Sequence, residues 1–201
     1  MSKSIKEIEQ IFLHITDYLL SGVLAFVVVK SFQEELIKDK QTKDDIFIYS
    51  VITSSYNTLV LALANTIKPN SDSIHLSYLF NCIRESKKIL GKDKYNQIMS
   101  HITEFESELD KLSNITMTLI ELRDSTVAHL DRKHVNNPLA LVNDQPIKWK
   151  EMEMTVSVVV NGLMELGKHL GLGESMMDYI ILTNFFLASK SKQVYDLFYR
   201  Q

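Results

Sequence analysis

The stretch "YNQIMSHITEFESELDKLSNITMTLIELRDSTVAHL", Tyr95–Leu130, decides the fold. Its apolar residues fall at alternating spacings of three and four: Tyr95, Ile98, Ile102, Phe105, Leu109, Leu112, then Thr116, Leu119, and on to Leu130. Sustained for about five heptads, that pattern predicts a long helix packed along one seam. Carried forward, the count brings position 123 onto the seam, where an apolar residue belongs and Arg123 stands instead. His129 falls on the flanking row that Ile115 and Leu122 occupy. A permanent cation and a titratable imidazole therefore interrupt the packing face itself.

The rest of the chain reads as further helices. Three prolines and six glycines are too few to break 201 residues into short elements. Ile5 to Ile37 predicts a helix, with Gly22 as a place for a bend. "KDKQTKDD" is a polar turn in which Asp44 or Asp45 can cap the helix from about Ile46 to Ile67. "KPNSDS" stops that helix and offers Ser73 as the next N-cap, for a helix Ile74 to Leu90 ending at Gly91. "KHVNNPLALVNDQP" is loop by its Asn-Asn-Pro and Asp-Gln-Pro punctuation. Helix resumes from about Ile147 to Leu170, stops at "GLG", and an apolar segment, Met176 to Leu187, follows. With no β-alternation and no internal repeat, the expectation is an all-α bundle in a single domain spanning residues 1–201.

Composition narrows the function. Hydrophobic residues at 45% and charged residues at 23% are the balance of a globular protein with a substantial core. A formal net charge of −3 supplies no global field towards nucleic acid or anionic lipid, so contact with a polyanion would be local. The single cysteine, Cys82 in "LFNCIRES", excludes an internal disulfide and reads as a small buried thiol in a reducing, cytoplasmic setting. The longest apolar run, Tyr18 to Val29, is shorter than the ~20 residues of a membrane span. Glu7, Glu9 and Asp17 precede it in place of a basic leader, so it reads as a core helix and no membrane association is expected.

Most catalytic patterns are absent. "HLDRKH" holds His129, Asp131 and His134, yet its spacing matches neither a metalloprotease His pair nor a tight Cys/His set, so no metal is expected. Histidine and basic side chains near a helix C-terminus explain the cluster without one. No G-x-S-x-G elbow occurs, and "GLG" at Gly171–Gly173 is too short to cradle phosphate. Lys87, Lys88, Lys92 and Lys94 read as a solvated helix end, and Trp149 as an anchor at a helix start.

Arg123 and His129 remain. Six residues advance a helix by about 9 Å and turn it by about 240°, so one helix aims the two side chains poorly at one phosphate. Two such helices related by a two-fold axis would line a common groove with two cations and two imidazoles. Such a groove suits metal-free RNA cleavage. Histidine moves protons to and from the 2′- and 5′-oxygens, and arginine neutralises charge growing on phosphorus. The plainer alternative stays open at this point: Arg123 pairs with Asp124, Glu121 or a carboxylate on another helix, and His129 ends its own helix.

An arginine, a polar residue and, after four to six intervening positions, a histidine near the end of a long helix resemble the hallmark of the HEPN superfamily. Here the motif reads Arg123, Asp124, then Ser125–Ala128, then His129. "LRDSTVAHLD" is similar to the abortive-infection U-like branch. "NTLVLALANTIKPNSDSIHLSYLFNCI" looks like that branch's helix–loop–helix ahead of the motif, and "PLALVNDQPIKWKEMEMTVSVVVNGLMEL" like its loop, tryptophan and following helix. The likeness covers about residues 50–170, with the helix 5–37 and the segment 174–201 expected to pack on that core. The chain departs at "NTIKPN", where the resemblance leads one to expect an acidic residue near Lys68.

The resemblance implies a homodimeric HEPN-like bundle with the Arg and His of both protomers at the interface. It implies a metal-independent endoribonuclease without cofactor, a toxin or antiphage effector silenced by an antitoxin such as a small nucleotidyltransferase. By position, Arg123 would steady the phosphate, His129 would transfer protons and Asp124 would orient them. Some members keep the fold as non-catalytic interaction or scaffold proteins, which is the alternative reading.

Overall fold

Small residues let the first two helices approach each other closely. In the computed structural model, which describes residues 3–38, 46–68, 74–128 and 147–172, α1 (Ile5–Lys38) lies along α2 (Ile46–Ile67) in the most extensive helix pair of the molecule. A Cβ built on Gly22 would sit 2.5 Å from the Ala62 Cβ, so the contact exists only because position 22 has no side chain. α1 buries Ile8, Phe12, Ile15, Leu19, Val23 and Val29, a helical stripe, while Leu13 and Tyr18 stay exposed. Gly22 lies within uninterrupted helix, so its role is this close approach.

Five further helices complete the bundle among the described residues: α3 (Leu76–Glu85), α4 (Lys87–Leu90), α5 (Lys92–Lys111), α6 (Ser113–Ala128) and α7 (Trp149–Leu170). No strand occurs among these residues, and one hydrophobic cluster draws on all seven helices. The fold is all-α. α6 packs on α2, α5 packs on α7, and α3 packs on α1. Phe80 of α3 meets Phe105 of α5 edge to face with centroids 5.7 Å apart. Trp149 opens α7 by stacking on Phe26 of α1 at 4.9 Å, the anchoring role its position suggested. At the same end the Glu151 carboxylate accepts from the Lys148 backbone N–H, half of a capping box. Gly171 closes α7 in the left-handed region, with φ of 88°.

Local hydrogen bonding corrects the sequence reading in three places. The seam from Tyr95 is carried by two helices, because at Leu112 the backbone N–H turns to the Leu109 carbonyl three residues back. The next two residues, Ser113 and Asn114, favour helix starts over helix interiors. α3 starts at Leu76, capped by His75, whose Nδ1 accepts from the Tyr78 N–H at 3.3 Å. Ser73 and the capping pair Asp44 and Asp45 lie outside the described residues. Finally, buried Ser86 separates α3 from α4: its hydroxyl donates to the Cys82 carbonyl at 2.7 Å and its N–H to Ile83. Cys82 is buried, as its neighbours implied.

The stretch Ile5–Lys30 is long and apolar enough to cross a membrane by length and composition, more than the Tyr18–Val29 run alone suggested. Half of it is buried inside the bundle, as the stripe of a core helix requires.

Two substitutions test this packing. A Cβ on Gly162 would lie 2.3 Å from the ring of buried Phe105, so Gly162→Ala should lower stability by about 1–3 kcal/mol in urea denaturation. An unchanged midpoint would mean that α5 and α7 are not this close. Tyr56 buries its hydroxyl without a partner among the described residues, and burial pushes its pKa from 10 up to about 12. The unfolded chain releases that proton first, so stability is untouched below pH 10. It then falls as pH rises from 10 to 12, by up to about 1.4 kcal/mol per pH unit. Tyr56→Phe should flatten this alkaline limb at no cost at neutral pH, read as melting temperature against pH.

Candidate active site

The face of α6 that packs on α2 carries Leu119 and Ile120, fully or nearly buried, and one turn later Arg123. Arg123 is only 8% exposed, a level that a guanidinium reaches only when acceptors replace water. Two are in place. Its Nε donates to Asp124 Oδ1 at 2.8 Å, and its Nη1 donates to Asn65 Oδ1 on α2 at 3.2 Å. The Asn65 amide continues the chain, its Nδ2 donating to the Tyr18 hydroxyl on α1 at 2.9 Å. Three helices thus meet through one polar line, Tyr18–Asn65–Arg123–Asp124.

The electrostatics of this line are lopsided. The Asp124 side chain is 63% exposed and the Arg123 side chain 9%, so the carboxylate sits in water while the cation does not. Screening weakens the attraction at the wet end. Asn65 contributes a dipole and no charge. Of the five N–H donors on a guanidinium, two are taken up by described residues. A planar, largely desolvated guanidinium with donors to spare can receive the two oxygens of a phosphate or carboxylate.

Of the sequence-predicted set, Arg123 and Asp124 are brought together, and the pairing foreseen as the plainer alternative is the one observed. Arg123 does occupy the packing face. His129 lies outside the described residues, as do Asp131 and His134. Sequence reasoning missed Asn65 and Tyr18. The signal for Asn65 was an amide inside "LALANTI", a run whose neighbours Ala62, Leu63, Ala64 and Thr66 are all buried. Tyr18 gave no signal, being an ordinary aromatic on the exposed side of α1.

Two other places hold polar groups. His101 of α5 has Nε2 2.9 Å from the Gly162 carbonyl, and its ring centroid is 5.7 Å from that of His169. Nearby, the Glu165 carboxyl is held below the usual carboxylate range chiefly by its hydrogen bond from Lys168. Among the described residues no group of three such side chains is arranged to hold a metal ion. A cavity of about 470 Å³ between α2, α3, α5 and α6 is lined by Ile67, Lys68, Phe80, Glu106, Thr116 and Ile120, and Arg123 is not part of its wall.

A family model described as AbiU2, of the HEPN class, matches residues 24–180. No curated protein and no solved structure matches the chain.

The polar line makes a prediction independent of any activity. Arg123→Met keeps the stem of the side chain and removes both donors, leaving the half-buried Asn65 carbonyl without its guanidinium. The expected cost is about 1–3 kcal/mol, read as a lower urea midpoint at unchanged m-value. Equal midpoints would show that the guanidinium contributes nothing to folding.

Proposed function

The chain belongs to the HEPN-type AbiU2 family, and from that premise we propose that it is a metal-independent endoribonuclease serving as a toxin or antiphage effector. The observation that carries the reading is Arg123: a charged side chain, 8% exposed, held on a helix-packing face by two acceptors. Burying a charge costs stability unless it is compensated. A chain that needed only packing there would do better with apolar residues at both 123 and 65, which would remove the two ends of the bond together.

The proposed chemistry divides the labour between Arg123 and His129, six residues apart in sequence. The 2′-hydroxyl of the substrate attacks the adjacent phosphorus and gives up its proton to a histidine acting as base. The 5′-oxygen leaves with a proton from a histidine acting as acid, and a 2′,3′-cyclic phosphate remains. Arg123 offers paired donors to the non-bridging oxygens as charge builds on them. Asp124, at 2.8 Å from Nε, fixes the rotation of the guanidinium. Two histidines are needed at once, and a homodimer that juxtaposes two copies of α6 would supply both. The protein would act in the cytoplasm, held inactive by an antitoxin such as a small nucleotidyltransferase encoded beside it.

One observation favours a second reading, that of a non-catalytic interaction protein. The net charge of −3 is unlike that of a promiscuous RNA binder, whose affinity comes from many phosphate contacts. On that reading the buried arginine only joins helices.

The two readings separate in one assay. Purified protein incubated with RNA in excess EDTA should cut it and leave 2′,3′-cyclic phosphate ends. Both His129→Ala and Arg123→Lys should lower the rate by at least about 100-fold, the second because an ammonium cannot reproduce the fork. Circular dichroism on each variant checks that the fold survives. Cleavage that persists in both variants removes these residues from the site, and no cleavage by the wild-type chain on any RNA leaves the interaction reading standing.

A further inference from the structure

We propose that Asn65 and Tyr18 belong to the same site, Asn65 as the residue that positions Arg123 and Tyr18 as a hydroxyl that meets the substrate beside it. The proposal rests on the reading of Arg123 as a phosphate-binding group. Tyr18 precedes residues 24–180, the part of the chain matched to the family.

The hydrogen bonds determine which way each group faces. A guanidinium has donors only, so the Asn65 atom 3.2 Å from Nη1 is the amide oxygen. Its amide nitrogen is then turned to Tyr18 and donates to the phenolic oxygen at 2.9 Å. That oxygen is engaged as an acceptor, which leaves its own O–H directed elsewhere. Tyr18 is 41% exposed and its hydrogen bond with Asn65 lies on the exposed side of the helix pair, where a molecule in solution can approach. A phosphodiester offers acceptors and no donors. It is complementary to a surface where a phenolic O–H lies two hydrogen bonds from a guanidinium.

The positions are held by packing. Tyr18 is one turn before Gly22 on α1, and Asn65 is three residues after Ala62 on α2, beside the point where these helices come closest. Asp124 anchors Nε and Asn65 anchors Nη1, so the plane of the guanidinium is set by two bonds from two different helices. Removing Asn65 leaves the plane free to rotate about the Asp124 contact. Orientation errors of that kind slow a reaction without weakening ground-state binding.

The test uses steady-state kinetics on an RNA oligonucleotide and two measurements that need no turnover. Asn65→Leu should lower kcat by about 10–100-fold with KM within about twofold. Asn65→Asp, which restores an acceptor for Nη1 but sets a second negative charge opposite the cation, should restore the sharp Arg123 resonance and only part of that rate. Tyr18→Phe should weaken binding of an uncleavable 2′-deoxy oligonucleotide, read by fluorescence anisotropy, by about 3–10-fold, the range of one ordinary lost hydrogen bond at an exposed site. The side-chain Nε–H resonance of Arg123 should be sharp in the wild-type chain and broadened or shifted in Asn65→Leu.

A wild-type protein that cuts no RNA sinks the ribonuclease reading alone. The Arg123 resonance then decides the role of Asn65, and the oligonucleotide affinity that of Tyr18. An unmoved resonance together with an unchanged kcat in Asn65→Leu overturns the positioning role. Equal affinities of the wild-type chain and Tyr18→Phe, or no binding by either, overturn the substrate contact.

Discussion

Taking a guanidinium out of water costs several kcal/mol before any partner is counted, and the junction of α1, α2 and α6 is arranged around meeting that cost for Arg123. Acceptors have to come from elements already packed there. α6 supplies one from the next residue, Asp124, and α2 supplies the other from Asn65. Asn65 is itself half-buried and would leave its amide N–H unmet without the Tyr18 hydroxyl from α1. Two of the three bonds in the line thereby cross from one helix to another. The dependence also runs the other way, because the line forms only if α1 and α2 approach as closely as Gly22 and Ala62 allow.

The departure from the family pattern at "NTIKPN" gains a physical meaning from this geometry. An acidic residue was expected near Lys68, and Lys68 is exposed, whereas the group from this stretch that reaches Arg123 is the neutral amide of Asn65. A carboxylate facing Arg123 from α2 would add a second negative charge opposite the same cation. An amide fixes the guanidinium and leaves more of its charge uncompensated. The remaining carboxylate, Asp124, is largely solvated and therefore screened. The result is a cation well fixed in orientation and weakly neutralised, which suits an anionic ligand.

Much of the architecture was legible in the sequence because long apolar periodicities survive local detail. The 3–4 spacing from Tyr95 marked the packed face, and the bounds of α1, α2 and α7 follow from sparse glycine and proline. What periodicity could not show were places where one side chain redirects one backbone bond: the junction at Leu112, the Ser86 hydroxyl on the Cys82 carbonyl, and the His75 cap. Arg123 was found because it broke a pattern. Asn65 was missed because a single amide in an apolar run also occurs in cores, and what gives it meaning is a guanidinium 58 residues away in sequence. Tyr18 could not be found at all, since nothing local distinguishes a tyrosine that accepts a hydrogen bond from one that merely shields a helix.

The contact between Gly22 and Ala62 also bears on how such a protein can diverge. Any side chain at 22 meets the Ala62 Cβ, so drift at this position is nearly closed. Tyr18 and Asp124, in contrast, are exposed and carry little of the core. A lineage can therefore exchange the groups at the two ends of the polar line while the spacing between them stays fixed. On the proposed reading of the site, recognition and architecture are separately heritable, and new specificities would be reachable by single substitutions that leave the helices where they are.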